Sequence, residues 1–437
     1  MLTSGQILTL DVERPVAGGR MLARHDGRIV LVAGTIPGER VTARVARVAK
    51  SVAHADTVEV LTPSPDRREA ADWRCGGRDY AHVAYERQRA LKAEIIADAF
   101  RRLARLPLGT LPPVMASPEH GYRLRARLHA SGGHLGFFRE GSHVLCDPES
   151  TGQLSSETVA WIRRVEQALP SAVSASITGV ELAENVPASE RTAHVEVRGA
   201  VDRAAWMAAA EGLSGLTVQG ESDVVTVAGQ PVVTDRLSVS TATDAPAVTL
   251  TRHTTAFFQA NRFLLPWFMQ HVVGLVGDGP VLDLYAGVGL FGLAAAAAGH
   301  GPVTLVEGDR TSGEDLESNA GPYGGRVRIM RRSVEAALDG FARAGSRESG
   351  VVGRASEAFA TCVVDPPRTG LSPEARAGLL RLSPRRIVYV SCDVATLARD
   401  ARALVDGGYA FGEMTALDLF PSTAHVETVA VFDRRAG

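Results

Sequence analysis

The sequence predicts an α/β protein whose mostly parallel sheet is preceded by two smaller β-rich modules. Three observations predict this fold. Strands and helices alternate after Thr251, short strands with glycine turns fill residues 1–65, and a second strand-rich stretch runs from Tyr122 to about Thr241. Strands that are each followed by a helix are typical of a parallel sheet with helices on both faces, so the C-terminal part of the chain should carry this sheet.

The N-terminal segment, residues 1–65, alternates apolar and polar residues between tight turns. This pattern predicts a small β-barrel. Its arginines give the barrel a basic surface that is either simply solvated or binds RNA, and the segment alone favours neither. These arginines are Arg20, Arg24, Arg28, Arg40, Arg44 and Arg47.

The middle of the chain combines one long helix with a second β-rich module. Residues Ala84 to Leu106 predict a single amphipathic helix with arginines on its polar side. The strand-like runs "YRLRARLHA", "HVEVRG" and "VVTVAG" then alternate with glycine turns, with one helix near Glu157 to Ala168. If the partner is RNA, base contacts are expected around Arg123, Arg125 and Arg127.

Four strand and helix pairs follow Thr251, with the strands "PVLDLYAG", "VTLVEGD", "ATCVVDPP" and "RIVYVSC". The last two strands, "MTALDLF" and "VETVAVF", are joined by a loop too short for a crossover, so they should pair antiparallel at the sheet edge. The predicted fold class is therefore a Rossmann-like α/β domain, mostly parallel with an antiparallel edge. A small N-terminal β-barrel and a β-rich central domain accompany it.

The composition limits the function and the location. The 437 residues suffice for about two to four domains. Lysine and arginine number 47 against 49 aspartates and glutamates, so any nucleic-acid site must be a local patch. No apolar run approaches the ~18 residues of a membrane span, and the N-terminus does not resemble a signal peptide. We therefore expect a cytoplasmic protein without membrane contact.

The four cysteines are scattered, at Cys75, Cys146, Cys362 and Cys392. Without an export signal, structural disulfides are not expected, and the sequence predicts free thiols. Cys362 lies inside the apolar strand "ATCVVD", where packing in the core is its expected role. Cys392 instead ends a strand with a helix directly behind it, a setting that lowers the pKa of a thiol and favours thiolate.

The segment "VLDLYAGVGLFG" predicts a ligand site where a strand, a glycine turn and a helix start meet. Gly287, Gly289 and Gly292 satisfy G-x-G-x-x-G, so a dinucleotide site is one interpretation. Asp283 would repel a pyrophosphate but can help hold an ammonium or sulfonium group, and Glu307 can accept hydrogen bonds from ribose hydroxyls. These carboxylates favour S-adenosylmethionine and a class I methyltransferase.

Two more carboxylates are expected at the same edge of the sheet. In "VVDPPRTG" the prolines stiffen the turn and hold Asp365 at the strand tip, where Arg368 is placed to reach a phosphate or a base. Glu427 starts the final strand of the chain. Beside a thiolate at Cys392, Glu427 becomes a candidate general base.

In this order, the motifs "FFQANRFL", "DLYAGVGLF", "DPPRTG", "SCDVATLARD" and "HVETV" resemble the S-adenosylmethionine-dependent RNA uracil-5-methyltransferases of the TrmA and RlmD type. The N-terminal "GGRMLARHDGRIVLVAGTIPGERV" resembles a TRAM domain, so the resemblance covers most of the chain. It implies that Cys392 adds to C6 of a uracil and that Glu427 removes the C5 proton. The cofactor-binding residues would be Gln259, Tyr285, Glu307 and Asp365, with Asp283, Gly287 and Gly289 beside them.

The resemblance also implies three domains. Residues 1–65 would form the TRAM-like barrel, and residues 66–83 and 118–250 the central domain. Residues 84–117 and 251–437 would form the methyltransferase domain, so the long helix should pack on a domain that lies far from it in sequence. We expect a monomer that acts on ribosomal or transfer RNA, with the target uridine unspecified.

One departure from the family concerns an iron–sulfur cluster, which many relatives bind through C-x5-C-G-G-C and a later cysteine. This chain has "EAADWRCGGRDY", with Glu69 and Arg78 at two of those positions, and Cys146 is not expected at the fourth. A cluster of this kind needs four thiolates. We therefore expect no cluster and no other metal site, and Cys75 should be a small core residue.

Two other function classes stay open at this point. A nucleotide-dependent oxidoreductase would bind NAD(H) rather than S-adenosylmethionine, but it would leave the pairing of Cys392 with Glu427 unexplained. A non-catalytic protein on the same fold would bind RNA without transferring a methyl group.

Overall fold

The N-terminal part of the chain is a closed five-stranded barrel. The structure is a computed structural model that describes residues 2–69, 72–347 and 359–435. The barrel strands are β1 (Ile7–Pro15), β2 (Met21–His25), β3 (Arg28–Ala33), β4 (Arg40–Val48) and β5 (Val52–Thr62). They close in the order β1-β2-β3-β5-β4. Buried and exposed residues alternate along β1, as expected of a strand with one face in the core, and the predicted barrel is confirmed.

The long helix α1 connects the barrel to the last sheet of the chain. It spans Tyr85–Ala99 and continues as a π-helical turn over Phe100–Ala104, before the short strand β6 (Val114–Met115). Its apolar residues share one hydrophobic core with the strands of that sheet. The polar residues Gln88 and Lys92 are also buried completely. Polar side chains therefore lie on the packed side of α1 as well as on the polar side that the sequence predicted.

The predicted β-rich module is a seven-stranded sheet with helices packed beside it. Its strands are β7 (Arg125–Ser131), β8 (His134–Phe138), β9 (Leu145–Cys146), β10 (Ile177–Glu184), β11 (Arg191–Val197), β12 (Gly215–Gln219) and β13 (Val224–Gly229). Their order is β13-β12-β11-β10-β7-β8-β9. The helices are α2 (Pro148–Thr151), α3 (Ser156–Ala168), α4 (Ser171–Ser176) and α5 (Arg203–Trp206). A separate hairpin pairs β14 (Val232–Ser238) with β15 (Ala247–His253).

The C-terminal part is the expected α/β sheet. Its strands are β16 (Val281–Leu284), β17 (Val303–Glu307), β18 (Val327–Arg331), β19 (Thr361–Val364), β20 (Arg386–Ser391), β21 (Tyr409–Leu417) and β22 (Glu427–Arg434). Its helices are α6 (Leu265–Gly274), α7 (Leu290–Ala297), α8 (Arg310–Ala320), α9 (Val334–Arg347), α10 (Pro373–Leu382) and α11 (Val394–Asp406). Two hydrophobic clusters cover its two faces.

The strand order of this sheet is β18-β17-β16-β19-β20-β22-β21-β6. Strands β16 to β20 run parallel, and β22 pairs antiparallel with both β20 and β21, as predicted. The outermost strand is nevertheless β6, which pairs parallel to β21. A two-residue strand has no periodic signal in the sequence, so this edge is formed by tertiary packing alone.

Cys75 and Cys146 form a disulfide, with their Cα atoms 5.9 Å apart. The prediction of four free thiols is therefore wrong for this pair, and correct for Cys362 and Cys392. The two cysteines meet because Cys75 bridges Arg139 at the end of β8, while β8 also pairs with β9, which contains Cys146. Their 71-residue separation hides this neighbourhood in the sequence. Cys75 is buried, as expected, but it is covalently linked rather than simply packed.

No helix in the described ranges is both long and apolar enough for a membrane crossing. The limits assigned to the three domains stay a prediction, because α1 and the barrel share part of one core. Tyr80, Val83 and Leu91 pack with the barrel's own apolar residues. The modules are thus joined by packing as well as by the chain.

Candidate active site

The predicted site residues meet at one edge of the C-terminal sheet. Asp283, Glu307, Asp365 and Cys392 lie within or directly after the carboxyl ends of four parallel strands, β16, β17, β19 and β20. Parallel strands bring these ends to the same edge, where open α/β sheets bind ligands. Glu427 joins them because β22 runs antiparallel and therefore begins where β20 ends.

The register makes Cys392 and Glu427 close neighbours. Ser391, the last residue of β20, pairs with Thr428, the second residue of β22. Cys392, one residue beyond β20, and Glu427, the first residue of β22, therefore lie at the same end of these two strands, and Thr428 Oγ1 donates to Ser391 O at 3.0 Å. The side chain of Glu427 is buried, whereas that of Cys392 is half-buried.

The turn after β16 has backbone angles that favour glycine at two positions. Gly287 and Gly289 adopt φ values of 56° and 101°, and Gly289 precedes α7 as its N-cap. Tyr285 also has a positive φ, 62°, an uncommon conformation for a residue with a side chain and one that clusters at functional sites. A Cβ on Gly289 would lie 2.5 Å from Leu293 Cδ1, so the turn has no room for a side chain there.

Glu307 is held by the same turn. Its Oε2 accepts from the Gly287 amide at 2.7 Å, and its Oε1 accepts from the Asp309 amide at 2.6 Å. Each carboxylate oxygen keeps a second lone pair, so Glu307 retains capacity for two ribose hydroxyls. The orientation of this carboxylate is thus set before a ligand binds.

Asp283 is buried, and its Oδ2 accepts from the Gly292 amide at 2.8 Å. Burial raises its pKa to about 8, and the negative charges of Asp365 and Glu307 add to the rise. Its Oδ1 has no hydrogen-bond partner within the described part of the chain. An unpaired buried carboxyl oxygen fits a ligand that brings a positive charge and N–H donors, as S-adenosylmethionine does.

Asp365 and Gln259 form a hydrogen-bonded pair at the same edge of the sheet. Gln259 Nε2 donates to Asp365 Oδ2 at 3.1 Å. Burial raises the pKa of Asp365 to about 7, and the bond from Gln259 partly offsets this rise. The carboxyl group is therefore poised to change charge near neutral pH.

The electrostatics of Cys392 contradict the prediction of a lowered pKa. Burial, together with the nearby carboxyl groups of Glu427 and Asp365, raises the pKa of this thiol to about 12. The helix α11 begins behind Cys392, and the side chain of its N-cap Asp393 accepts from the Thr396 amide. Burial and like charges outweigh the helix dipole, which contributes little over a single turn.

Arg368 is the cation that opposes these carboxyl groups. It is exposed, and its charge lowers the pKa of both Cys392 and Glu427. Burial nevertheless dominates at Glu427, whose pKa lies well above the usual carboxyl range, with Asp365 as the second cause. Before substrate binds, Cys392 is a neutral thiol at neutral pH, and burial favours the protonated form of Glu427.

Some predicted or overlooked residues have other roles. Cys362 is fully buried in a hydrophobic cluster, which confirms its packing role. Arg125 and Arg127 both pair with Glu181, at 2.7 and 3.0 Å, so these guanidinium groups are already engaged within the central sheet. His425, two residues before Glu427, is exposed, and its proximity to Arg368 was not evident from residue type alone.

Within residues 2–69, 72–347 and 359–435, no group of three or more His, Cys, Asp or Glu side chains is arranged to hold a metal ion. Arg78 stands where many relatives have a cluster cysteine. Its guanidinium group donates to the carbonyl oxygens of Ser150 and Thr151 at 3.1 and 2.5 Å. The expected absence of an iron–sulfur cluster stays a prediction.

The parallel sheet, the glycine turn and the acidic strand ends define a class I methyltransferase that uses S-adenosylmethionine. The family model "tRNA (Uracil-5-)-methyltransferase" matches residues 227–435, and the TRAM domain model matches residues 2–58. The 23S rRNA (uracil(1939)-C(5))-methyltransferase RlmD of Pseudomonas putida is 32% identical to this chain, covering 98% of it and 94% of the relative. An uncharacterized RNA methyltransferase of Streptomyces coelicolor is 33% identical, covering 97% and 92%.

A solved structure is similar over nearly the whole chain. It is the Pyrococcus abyssi tRNA (uracil-54, C5)-methyltransferase in complex with S-adenosyl-L-homocysteine, with a TM-score of 0.72 and 25% identity, covering 97% of this chain and 99% of that one. The chain belongs to the family of RNA uracil-C5 methyltransferases, and it is an S-adenosylmethionine-dependent enzyme of RNA modification. Neither the oxidoreductase nor the non-catalytic RNA-binding protein is favoured by these matches.

Proposed function

We propose that this enzyme methylates C5 of a uridine through a covalent adduct at Cys392. The thiol loses its proton and Sγ bonds to C6 of the uracil, which places negative charge on C5. S-adenosylmethionine, when bound, supplies a methyl group activated by its sulfonium charge. Glu427 then takes the C5 proton, and the returning electron pair breaks the bond between C6 and Sγ.

The observation that carries this proposal is the register that places Cys392 beside Glu427 at the ligand-binding edge. A nucleophile and a base are both needed, because C5 of uracil alone is a poor nucleophile and the product must lose a proton. Cys392 starts as a thiol, so the first step needs an acceptor for its proton, and Glu427 acts on the C5 proton in its carboxylate form, which the charge of Arg368 favours. Asp365, with a pKa of about 7 and an electrostatic effect on both groups, is a candidate for that acceptor.

We further propose roles for the cofactor residues. Glu307 would accept from the ribose hydroxyls, and Asp283 would face the positive charges of the ligand through its unpaired oxygen. Gln259 and Asp365 would bind the same ligand from the opposite side. Tyr285, Gly287 and Gly289 would shape the turn that bounds the site.

Two similar proteins are named for different RNA targets. The Pseudomonas putida relative is named for uracil 1939 of 23S rRNA, and the Pyrococcus abyssi structure for uracil 54 of tRNA. We propose that the monomer binds a structured RNA with its barrel and central sheet, and that the target uridine leaves its stack to reach the half-buried Cys392. We place the barrel at 1–65, the central domain at 66–83 and 118–250, and the methyltransferase domain at 84–117 and 251–437.

A trapping experiment tests the covalent step. RNA that contains 5-fluorouridine should form a stable adduct with the wild-type protein, because fluorine cannot leave C5 as a proton does. The Cys392→Ala variant should form no adduct and transfer no methyl group, whereas Cys362→Ala should keep both activities. Methyl transfer by Cys392→Ala would exclude the mechanism, and RNA binding by the wild type without any methyl transfer would support the non-catalytic alternative.

The target is identified by mapping 5-methyluridine in ribosomal and transfer RNA from cells with and without the gene. A position that loses its methyl group in the absence of the gene, and regains it with purified enzyme, is the substrate. Modification unchanged at every uridine would contradict the proposed function.

A further inference from the structure

A buried ion pair lies beneath the loop that leads to Glu427. Lys92 is one of only two lysines in the chain, and its side chain is fully buried in α1. Its Nζ donates to Asp418 Oδ1 at 2.5 Å and to Phe420 O at 3.2 Å. Asp418 is also fully buried and follows β21 directly.

Stability alone is a weak explanation for this pair. Removing two opposite charges from water costs free energy that their attraction only partly returns, and apolar residues of similar volume often stabilise a core as well or better. The pair lies next to the apolar core between α1 and the last sheet, where such residues would fit chemically. A role that apolar residues lack is to hold particular polar groups in one position.

The side chains around Lys92 are arranged for that purpose. Tyr85, Gln88 and Lys92 follow one face of α1 at spacings of three and four residues. Gln88 Oε1 accepts from the Ser422 amide at 2.8 Å. Burial raises the pKa of Tyr85, and Asp418 beside its hydroxyl raises it further. One stripe of the helix is therefore directed at residues 418–426.

Hydrogen bonds fix most residues of the loop 418–426. Besides Lys92 and Gln88, its partners are Met115 O for the Asp418 amide (3.0 Å), Asn261 Nδ2 for Leu419 O (3.0 Å), the Tyr80 amide for Ser422 O (2.8 Å) and Asp79 Oδ2 for the Ala424 amide (2.9 Å). These partners come from segments far apart in the sequence. The loop ends at Glu427, whose carboxyl group has to meet the C5 proton.

We propose that Lys92 and Asp418 are positioning residues that fix the loop 418–426 and thereby place the carboxyl group of Glu427. The inference rests on the proposed role of Glu427 as the base. The pair touches neither Cys392 nor the cofactor residues among its hydrogen bonds. Its loss should therefore slow proton removal from C5 more than it slows adduct formation.

Two measurements separate these steps. The rate of adduct formation with 5-fluorouridine RNA reports attack and methyl transfer, and tritium release from [5-³H]uridine RNA reports loss of the C5 proton. For Lys92→Met we expect tritium release to slow by about tenfold or more, because a misplacement near 1 Å costs rate steeply. Adduct formation should stay within about threefold of wild type. Arg87→Met, which breaks a half-buried ion pair of the same helix with Glu94, should change neither rate.

A double variant distinguishes positioning from stability. Lys92→Met with Asp418→Leu leaves no unpaired charge and should recover the melting temperature, but not the rate of tritium release. Recovery of both would show that the pair serves stability alone and would overturn the proposal. Equal slowing of both rates by Lys92→Met would overturn it as well.

A third variant covers the case in which Lys92→Met does not fold. Gln88→Met removes the bond to Ser422 without burying a lone charge, and it should give the same selective slowing. The proposed function is tested separately by Glu427→Gln. If Glu427→Gln releases tritium at the wild-type rate, the assigned base is wrong. If Glu427→Gln blocks release while Lys92→Met and Gln88→Met do not slow it, only the positioning role fails.

Discussion

Gln259 and Asp365 are joined by a hydrogen bond of 3.1 Å although 106 positions of the chain separate them. Burial raises the pKa of Asp365 to about 7, and Gln259 holds that pKa below the value burial alone would give. The amide therefore influences how much negative charge Asp365 carries at neutral pH. This pair connects the segment before α6 with the tip of β19, so two motifs that are distant in the sequence meet in one hydrogen bond.

Replacing Gln259 should weaken cofactor binding. In Gln259→Leu the pKa of Asp365 rises, so less carboxylate is present at neutral pH, and we expect affinity for S-adenosylmethionine to fall by about tenfold, the value of one charge-assisted hydrogen bond. Calorimetric titration checks this. The matched control is Gln270→Leu on α6, where Gln270 Nε2 donates to Ser238 O. Equal losses in the two variants would exclude a specific role for Gln259.

The rate of adduct formation should rise with pH. The pKa of Cys392 is raised to about 12, so at lower pH the thiol is neutral, and its ionised fraction grows by up to about tenfold per pH unit between about pH 6 and about pH 9. The pKa of Glu427 is also raised, so the ionised fraction of this carboxyl group likewise grows as the pH rises. Single-turnover reactions with 5-fluorouridine RNA at saturating concentration measure this profile, and a flat profile would contradict it.

Arg368 should shift this profile. Its charge lowers the pKa of both Cys392 and Glu427, so Arg368→Gln raises both values and slows adduct formation at a given pH by about tenfold. Part of the loss should return as the pH increases. Arg381→Gln, on the exposed end of α10, serves as the control. A uniform loss at all pH values would indicate that Arg368 binds RNA without acting on the thiol.

Asp283 should make the cofactor-free protein less stable as the pH rises. Its folded pKa of about 8 lies above its unfolded value of 3.8, so between these values the folded state keeps a proton that the unfolded state releases. The free energy of unfolding then falls by up to about 1.4 kcal/mol per pH unit across this window. Asp283→Asn removes this dependence, so its stability relative to wild type should increase between about pH 5 and about pH 8.

Denaturant titrations without ligand measure this difference. Asp278→Asn, on an exposed turn before β16, should show the wild-type pH dependence. The stabilised Asp283→Asn protein should also bind S-adenosylmethionine less tightly, because it cannot supply a negative charge to the ligand. If Asp283→Asn and Asp278→Asn lost stability equally at all pH values, the raised pKa assigned to Asp283 would be refuted.

The link between Cys75 and Cys146 should be detectable by thiol counting. Two free thiols are expected in the denatured, unreduced protein and four after reduction, because Cys362 and Cys392 are free. Closing a loop over 71 positions restricts the unfolded chain, and in the chain-entropy model this is worth about 4 kcal/mol of unfolding free energy. Denaturant titrations of oxidised and reduced protein compare these states. Four free thiols without reduction would rule the disulfide out.

The sequence by itself determined the edge of the sheet at which the candidate site residues lie. Asp283, Glu307, Asp365 and Cys392 each follow or end an apolar strand, and parallel strands place such positions at one edge. The turn around Gly287 and Gly289 is likewise a local property, because only glycine adopts these backbone angles without cost. The barrel and the β-rich module followed from period-two alternation over short segments.

Only the tertiary structure decided the protonation state of Cys392, the partner of Cys75, the burial of Lys92 and the strand β6 at the sheet edge. Each depends on groups that come together from distant parts of the chain. The pKa of a thiol depends on burial and on every charge nearby, so the helix behind Cys392 was a poor guide once Glu427 and Asp365 were beside it. Local sequence patterns indicate periodicity and turn chemistry, but they do not indicate which distant side chains will share a core.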